Sequence, residues 1–326
     1  MKNKIVVLTT GGTIASVENA ETGLFSSGAL PGEALLGMCD LAVPVDLDVR
    51  SVFQVPSNAM SFARLMTLRA AILDVLSDER VAGIVVTHGT DTLEETAYFL
   101  RLTVGDPRPV VVTGSQRTPT ELGTDSFTNI RHAILAAASP ACRGMGALVV
   151  FNEGIYAARH VRKVHSFNPH AFTAFGFGQL GYVDRDDVCV RQRPIDEDVF
   201  LPAGLPPRVD IVKVALDSDG LFVDCAVDNG ARGIILEGLG RGHVTPSCAP
   251  SVSRAAERGV HVVITTGCEQ GRVYPVYDFV GGVMDLEARG AVRGGDHSSR
   301  KARIKLAVML AAGVEDREAI RRAFAT

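Results

Sequence analysis

Two threonines, an aspartate and a lysine are the residues of this chain whose types and surroundings could do chemistry. Thr13 ends the run Lys4-Ile5-Val6-Val7-Leu8-Thr9-Thr10-Gly11-Gly12-Thr13-Ile14-Ala15, in which a short apolar strand enters a glycine turn that delivers a hydroxyl. A second stretch, Gly83-Ile84-Val85-Val86-Thr87-His88-Gly89-Thr90-Asp91-Thr92-Leu93-Glu94-Glu95-Thr96, has the same design with a carboxylate after the hydroxyl. A threonine hydroxyl is a poor nucleophile at neutral pH, so it needs exposure at a turn and a base to take its proton. Lys163, inside Arg159-His160-Val161-Arg162-Lys163-Val164-His165, becomes such a base if neighbouring cations and desolvation lower its pKa. Each residue also has a plainer reading. Thr13 could be a turn threonine or part of a glycine-rich anion cradle. Asp91 with Glu94 could be a capping box that starts a helix through Thr96, and the basic cluster could be a solvated face. Ser57-Asn58, just before a helix, could hold a carboxylate through the hydroxyl and helix-start amides, or be turn chemistry alone.

The elements that must position these residues follow from hydrophobic periodicity. Strand-like runs at 4–10, 83–87, 109–113 and 146–151 alternate with helical patterns, the signature of βαβ units and a mainly parallel sheet. Helices are expected over 62–77, with Ser61 as N-cap, over 92–103, and from Phe127 to Ala138. Ligands of open α/β sheets bind beyond the carboxyl ends of strands, so two strands ending in threonines predict one shared site. Between Asp184 and Pro207 the periodicity breaks into charges and prolines, which reads as a linker. Strand runs resume at 209–214, 233–238 and 260–266, with helices near 247–258 and 299–312. The expected architecture is α/β: a larger N-terminal, mainly parallel sheet domain flanked by helices (1–185), a linker (186–208) and a smaller C-terminal α/β domain (209–326).

Composition bounds the function. The chain has 326 residues, 46% hydrophobic and 21% charged, enough for two cores of ordinary size. A formal net charge of −4 gives no basic field for nucleic acid or an anionic membrane. No apolar run approaches the roughly 18 residues of a membrane span, and no basic segment leads into a long apolar stretch at the start, so a cytoplasmic protein is expected. The six cysteines, at 39, 142, 189, 225, 248 and 268, lack C-x-x-C or His-Cys ligand spacing and read as buried free thiols rather than metal ligands. No G-x-G-x-x-G or Walker sequence is present, so neither a dinucleotide nor a nucleoside triphosphate is indicated, and no cofactor is expected.

Taken together, these stretches resemble the bacterial-type L-asparaginase (asparaginase/glutaminase) family. Thr10-Gly11-Gly12-Thr13-Ile14-Ala15 is similar to its first signature, and His88 through Ala97 to its second. Val112-Thr113-Gly114-Ser115-Gln116-Arg117, the stretch from Ala157 to Lys163, Phe177-Gly178-Gln179-Leu180-Gly181 and Lys301-Ala302-Arg303-Ile304 also resemble the family, so the likeness spans nearly the whole chain. It implies hydrolysis of the L-asparagine side-chain amide to L-aspartate and ammonia through an acyl-enzyme on Thr13. Thr90, Asp91 and Lys163 would form a second triad that handles protons, activates water and lines the oxyanion position. Ser57 and Asp91 would hold the substrate's α-carboxylate and α-ammonium, Gly12 and Gly89 would let the backbone approach, and Asn58 and Ser115 would complete the substrate site. A homotetramer built from dimers is implied by the resemblance alone.

The chain also departs from the family. The family's loop tyrosine, about a dozen residues after the first threonine, is absent: Val17 to Leu30 contains Phe25 but no Tyr. A phenyl ring cannot relay a proton. Either Thr13 is activated another way, or a tyrosine from elsewhere, such as Tyr274 or Tyr277 of a neighbouring subunit, serves. His243 stands where the family commonly has asparagine, and Arg162 where a threonine frequently precedes the lysine. Glutaminase or broader amidase activity is the alternative within the family. A catalytically weak amino-acid sensor on the same fold is the alternative outside catalysis, and the retained Thr90 and Lys163 argue against it. The amidotransferase subunit that shares the fold is disfavoured, because the chain starts directly at the first strand.

Overall fold

A computed structural model describes residues 4–18, 25–26, 45–195 and 197–325, in two compact units, Met1–Val199 and Phe200–Thr326. The first unit is built on strands β1 (Lys4–Thr9), β2 (Val17–Glu18), β3 (Phe25–Ser26), β4 (Asp46–Ser51), β5 (Val81–Thr87), β6 (Val110–Thr113), β7 (Ala147–Phe151), β8 (Gly154–Ala157), β9 (Arg162–Lys163), β10 (Phe172–Thr173), β11 (Gly181–Asp184) and β12 (Asp187–Val190). Eight of them form one sheet in the order β12-β11-β8-β7-β6-β5-β1-β4. From β4 to β7 all pairings are parallel; from β7 to β12 they are antiparallel. The central strands are buried on both faces, which is why they read as near-continuous Val/Ile/Leu runs rather than as alternation.

Helices α1 (Phe62–Leu76), α2 (Leu93–Thr103) and α3 (Ser126–Ala138) follow the expected positions within a residue or two. Ser61 caps α1, its side chain accepting from Arg64 N at 3.3 Å. On one sheet face Ile5, Val7, Val85, Val111, Leu148 and Val150 share a core with Ile130, Ala133, Ile134 and Ala137 of α3. The step from parallel to antiparallel comes at Asn152 and Glu153, at φ 46° and 69°, where a two-residue turn folds β8 back on β7.

The linker expected from 186 begins too early. Asp187–Val190 is an edge strand paired with β11, and Val188 and Val190 pack against the sheet core. Two apolar residues before a proline-rich stretch are too few to show a period, so only the tertiary contact reveals the strand. Beyond it Glu197 is still held by the first unit: its carboxylate accepts from the Tyr98 hydroxyl at 2.8 Å and its backbone carbonyl from Arg101.

The second unit has an all-parallel sheet of β13 (Val209–Lys213), β14 (Gly233–Gly238), β15 (His261–Thr266) and β16 (Val292–Arg293), in that order, with helices at Leu221–Asp228, Ala249–Glu257, Val283–Ala288, Ser299–Ala311 and Arg317–Phe324. Among the described residues no helix is long and apolar enough to cross a membrane. Of the cysteines, Cys142 and Cys248 are buried, but Cys225 and Cys268 are exposed and Cys189 is half-buried, so the expectation of uniformly buried thiols fails. Cys39 lies outside the described residues.

Candidate active site

Three neighbouring strands end in threonines that stand in register, Thr9 beside Thr87 and Thr87 beside Thr113. The loops that follow them therefore leave the sheet side by side, although they are far apart in sequence. Thr10 ties the first two together, donating through both its backbone N–H and its hydroxyl to the Thr87 carbonyl. Gly12, at φ 89°, then turns the chain into a single turn of 3-10 helix, Thr13–Ala15, that begins with Thr13. Ser16 closes this turn by donating to the Gly12 carbonyl at 3.0 Å.

A cavity of about 280 Å³ opens above these strand ends, lined by Gly12, Thr13, Ser16, Pro56, Ser57, Gly89, Thr90, Asp91, Gln116, Thr118 and Glu121. Its size suits a small molecule, at or below the lower end of ordinary ligand pockets. Thr13 and Thr90, chosen from separate strand ends, both face it. A second cavity of about 300 Å³, in the second unit, is lined by Arg272, Tyr274, Arg293, Asp296, Arg321 and their neighbours; of the residues singled out in the sequence it contains Tyr274 and none of the threonine, aspartate or lysine candidates.

Lys163 completes the arrangement. Its ammonium donates to Thr90 Oγ1 and to Asp91 Oδ1, both at 2.8 Å, so hydroxyl, amine and carboxylate form one hydrogen-bonded line. Thr90 in turn donates to Gln116 Oε1 at 3.0 Å. The basic cluster around Lys163 is not a solvated face: the Lys163 side chain is only 13% exposed, Arg159 is paired with the buried Glu197 carboxylate, and His160 stacks on Phe177 at 3.5 Å. Glu94 has a different job from the one its spacing suggested. The N-cap of α2 is Thr92, with no side-chain capping bond; buried Glu94 instead accepts from the backbone N–H of Lys163 at 2.9 Å. A carboxylate buried in a helix start must find its donor inside the protein, and the Lys163 N–H supplies it.

Ser57 is buried and lines the cavity. Its Oγ accepts from Asp91 N at 3.3 Å, which leaves the hydroxyl proton free to donate, while its carbonyl accepts from Thr92 Oγ1 at 2.8 Å. Asn58 is exposed and does not line the cavity. Nor does Ser115, which is fully buried, donating to the Arg117 carbonyl at 2.7 Å and accepting from Ser126 Oγ at 2.9 Å. Its neighbour Gln116 faces the site instead. Sequence reasoning quoted Gln116 without assigning it a role and passed over Thr118 and Glu121; the signal available was the third strand, β6, ending like its neighbours in a threonine with a glycine one or two residues on. Asp125 holds this loop by accepting from the N–H groups of Gln116 and Arg117 at 3.0 and 2.9 Å.

His88 is wholly buried beneath the second loop, and burial pushes its pKa down to about 4, so the imidazole is neutral. Nδ1 faces the Gly89 carbonyl at 2.7 Å, which can only accept, so Nδ1 carries the proton and Nε2 accepts from Thr96 Oγ1 at 3.0 Å. Most of the stretch from Val17 to Leu30 lies outside the described residues; Val17–Glu18 and Phe25–Ser26 pair as a small antiparallel ladder. Tyr274 and Tyr277 belong to the second unit, where they are 41% and 52% exposed; the ring of Tyr277 meets His243. Among the described residues no hydrogen bond joins the Thr13 hydroxyl to a base, and no cluster of His, Cys, Asp and Glu is placed to hold a metal ion.

A two-unit α/β fold with threonine hydroxyls and a lysine amine at the strand ends defines a class of amide-cleaving proteins, and sequence comparison places the chain within it. Residues 4–196 match the family model "Asparaginase, N-terminal" and residues 208–324 match "Glutaminase/Asparaginase C-terminal domain". The chain belongs to the asparaginase family. It is 50% identical over 320 residues to an L-asparaginase of Bacillus licheniformis, covering 97% of this chain and 99% of the relative. It is 35% identical to L-asparaginase 2 of Bacillus subtilis, covering 94% and 82%. It is also 31% identical to a glutamyl-tRNA(Gln) amidotransferase subunit of Methanosarcina mazei, covering 93% of this chain and 73% of that one. Among solved structures it is similar to a probable cytoplasmic L-asparaginase from Campylobacter jejuni, with a TM-score of 0.88, 28% identity and full coverage of both chains.

Proposed function

We propose that the protein hydrolyses L-asparagine to L-aspartate and ammonia, with Thr13 as nucleophile and Thr90, Asp91 and Lys163 as the proton-handling group. The observation that carries this reading is the Lys163 amine at 2.8 Å from both Thr90 Oγ1 and Asp91 Oδ1, on a small cavity that Thr13 also lines. In the first step a bond forms between Thr13 Oγ and the side-chain amide carbon, and the C–N bond breaks. The hydroxyl proton leaves with the nitrogen as ammonia, and an aspartyl ester remains on Thr13. In the second step water attacks the ester carbon, losing its proton through Thr90 and Lys163, while Thr13 Oγ regains a proton as aspartate departs. Lys163 must be neutral to accept a proton and returns as the ammonium, which Asp91 then faces.

The substrate's charged groups find complementary partners. Asp91, with a side chain 67% exposed, presents a carboxylate to an α-ammonium, and the unspent Ser57 proton is placed to meet an α-carboxylate. Such paired recognition selects an amino acid over a simple amide. Gly12 and Gly89 bring backbone, not side chains, to the cavity wall. L-Glutamine is the accompanying candidate substrate, since one methylene changes selectivity by about 1–3 kcal/mol. A cytoplasmic location and a homotetramer of paired dimers belong to the same reading, supported by the whole-chain likeness to a probable cytoplasmic L-asparaginase and by the exposed apolar side chains of Tyr274, Val276, Tyr277, Phe279 and Val280.

The test is ammonia release by the purified protein with L-asparagine, L-glutamine and D-asparagine, beside a Thr13→Ala control. Turnover with L-asparagine that disappears in the control is expected. Thermal stabilisation by asparagine without any ammonia would replace this reading with an amino-acid-binding protein.

A further inference from the structure

The cavity above the strand ends is lined by two carboxylates, those of Asp91 and Glu121, and no other side chain among its described lining residues is charged. Asp91 is already engaged, since its Oδ1 accepts from the Lys163 ammonium at 2.8 Å. Lys163 thereby offsets one of the two negative charges. Glu121 has no ion-pair partner among the described residues, so the second charge is left to whatever fills the cavity.

Glu121 is nonetheless fixed in place. Its backbone N–H donates to the Thr118 carbonyl at 3.1 Å, its Oε2 accepts from Thr118 N at 3.2 Å, and its carbonyl accepts from Thr124 N at 3.1 Å. This reciprocal turn holds one carboxylate oxygen and leaves Oε1 unspent. Thr118 is buried and lines the same cavity, and its Oγ1 has no hydrogen-bond partner among the described residues. Buried hydroxyls are ordinarily bonded, so the turn brings to the cavity wall both an uncompensated charge and unspent acceptor sites. A ligand that completes such a wall must supply N–H donors and positive charge, and the α-ammonium of an amino acid supplies both.

Building on the function proposed above, we infer that Glu121 is a specificity-determining residue whose carboxylate joins that of Asp91 in holding the α-ammonium of the substrate. Exposed to water, such an ion pair is worth little, but a substrate that fills a cavity of about 280 Å³ displaces the water and strengthens it. One ammonium from Lys163 and one from the substrate then balance the two carboxylates. A ligand of the same shape without the α-amino group leaves one of them uncompensated. Glu121 takes no part in making or breaking bonds: it acts on the affinity for amino acids, apart from the proton path of Thr90 and Lys163.

The test compares Glu121→Gln with the unaltered enzyme on two ligands: L-asparagine as substrate and succinamic acid, which is asparagine without its α-amino group, as competitor. Glutamine removes the charge but keeps an oxygen for Thr118 N, so the turn survives. It is expected to lower kcat/KM for L-asparagine about tenfold, through KM and with kcat within about threefold, while the inhibition constant of succinamic acid rises by no more than about twofold. Equal weakening of both ligands would show that Glu121 only shapes the loop, and an unchanged KM for asparagine would show that Asp91 holds the ammonium unaided. Either result, or a loss confined to kcat, overturns the inference. Should the glutamine variant fail to fold, Glu121→Met, uncharged and of similar length, gives the same comparison. Thr13→Ala runs alongside: ammonia release that survives in it, or that is absent from the unaltered protein, defeats the proposed reaction. In that event thermal stabilisation by L-asparagine, set against that by succinamic acid in the parent and the glutamine variant, still decides the role of Glu121.

Discussion

A Cβ atom on Gly12 would lie 2.4 Å from the Cα of Gly89, so the loops after β1 and β5 touch backbone to backbone at the floor of the cavity. Real Cβ atoms do not come that close to another backbone. Gly89 is hemmed in as well, since a Cβ there would meet the Ser57 side chain at 2.8 Å and the Gly12 Cα at 3.2 Å. Three loops thus converge at two positions that have no side chain, and this sets Thr13, Ser57 and Thr90 around one cavity.

Gly12→Ala is therefore expected to combine overlap with strain, because the backbone there has φ 89°. The cost in stability should be about 2 kcal/mol or more, read as a lower denaturant midpoint with an unchanged m-value, and turnover should fall with it. An alanine variant of unaltered stability and rate would show that the two loops can part without consequence.

Thr13→Ala and Thr90→Ala are each expected to reduce turnover by about a thousandfold or more; the far-UV circular dichroism should stay that of the parent in both, with the Thr90 variant melting somewhat lower because its buried hydroxyl bonds to Gln116 and Lys163 are lost. Lys163→Met should remove most activity as well. Parental rates in the lysine variant would remove Lys163 from the proton path.

Glu94 provides a separable prediction. Because its carboxylate accepts from Lys163 N at 2.9 Å, Glu94→Gln should keep the strand in place and most of the activity, whereas Glu94→Ala should loosen it and lower kcat about tenfold or more. Equal activities of the two variants would show that this bond does not position the lysine.

His88 makes stability depend on pH in the acid range. Its folded-state pKa, about 4, is below the ordinary value of 6.5, so between those values the unfolded chain binds more protons than the folded one. Its neutral burial costs nothing above pH 6.5, and the folded state loses stability as the pH falls from 6.5 toward 4, by on the order of 3 kcal/mol in all. Thermal melts of the parent and of His88→Gln across that range should differ in slope, the glutamine variant being flatter. Parallel slopes would assign the acid sensitivity to other groups.

The sequence by itself determined the strands, the main helices and the residue types of the site. Val, Ile and Leu runs of strand length suit a parallel sheet covered on both faces, and a threonine with a glycine one or two residues on marks where a ligand can approach their ends. Thr13, Thr90, Asp91 and Lys163 stood out in the sequence as a hydroxyl, a carboxylate and an amine near strand ends, and the family resemblance supplied the roles proposed for them. What the sequence could not supply was direction. Ser115 and Gln116 are adjacent in a turn, yet one points into the protein toward Ser126 and the other toward Thr90. Asp91 and Glu94 have the spacing of a capping box, but Glu94 is spent on a backbone donor 69 residues away. Asn58, beside the buried Ser57, faces solvent. Such choices are made by which distant groups need a hydrogen-bond partner once water has been excluded, and those groups meet only after the sheet has brought its strand ends together.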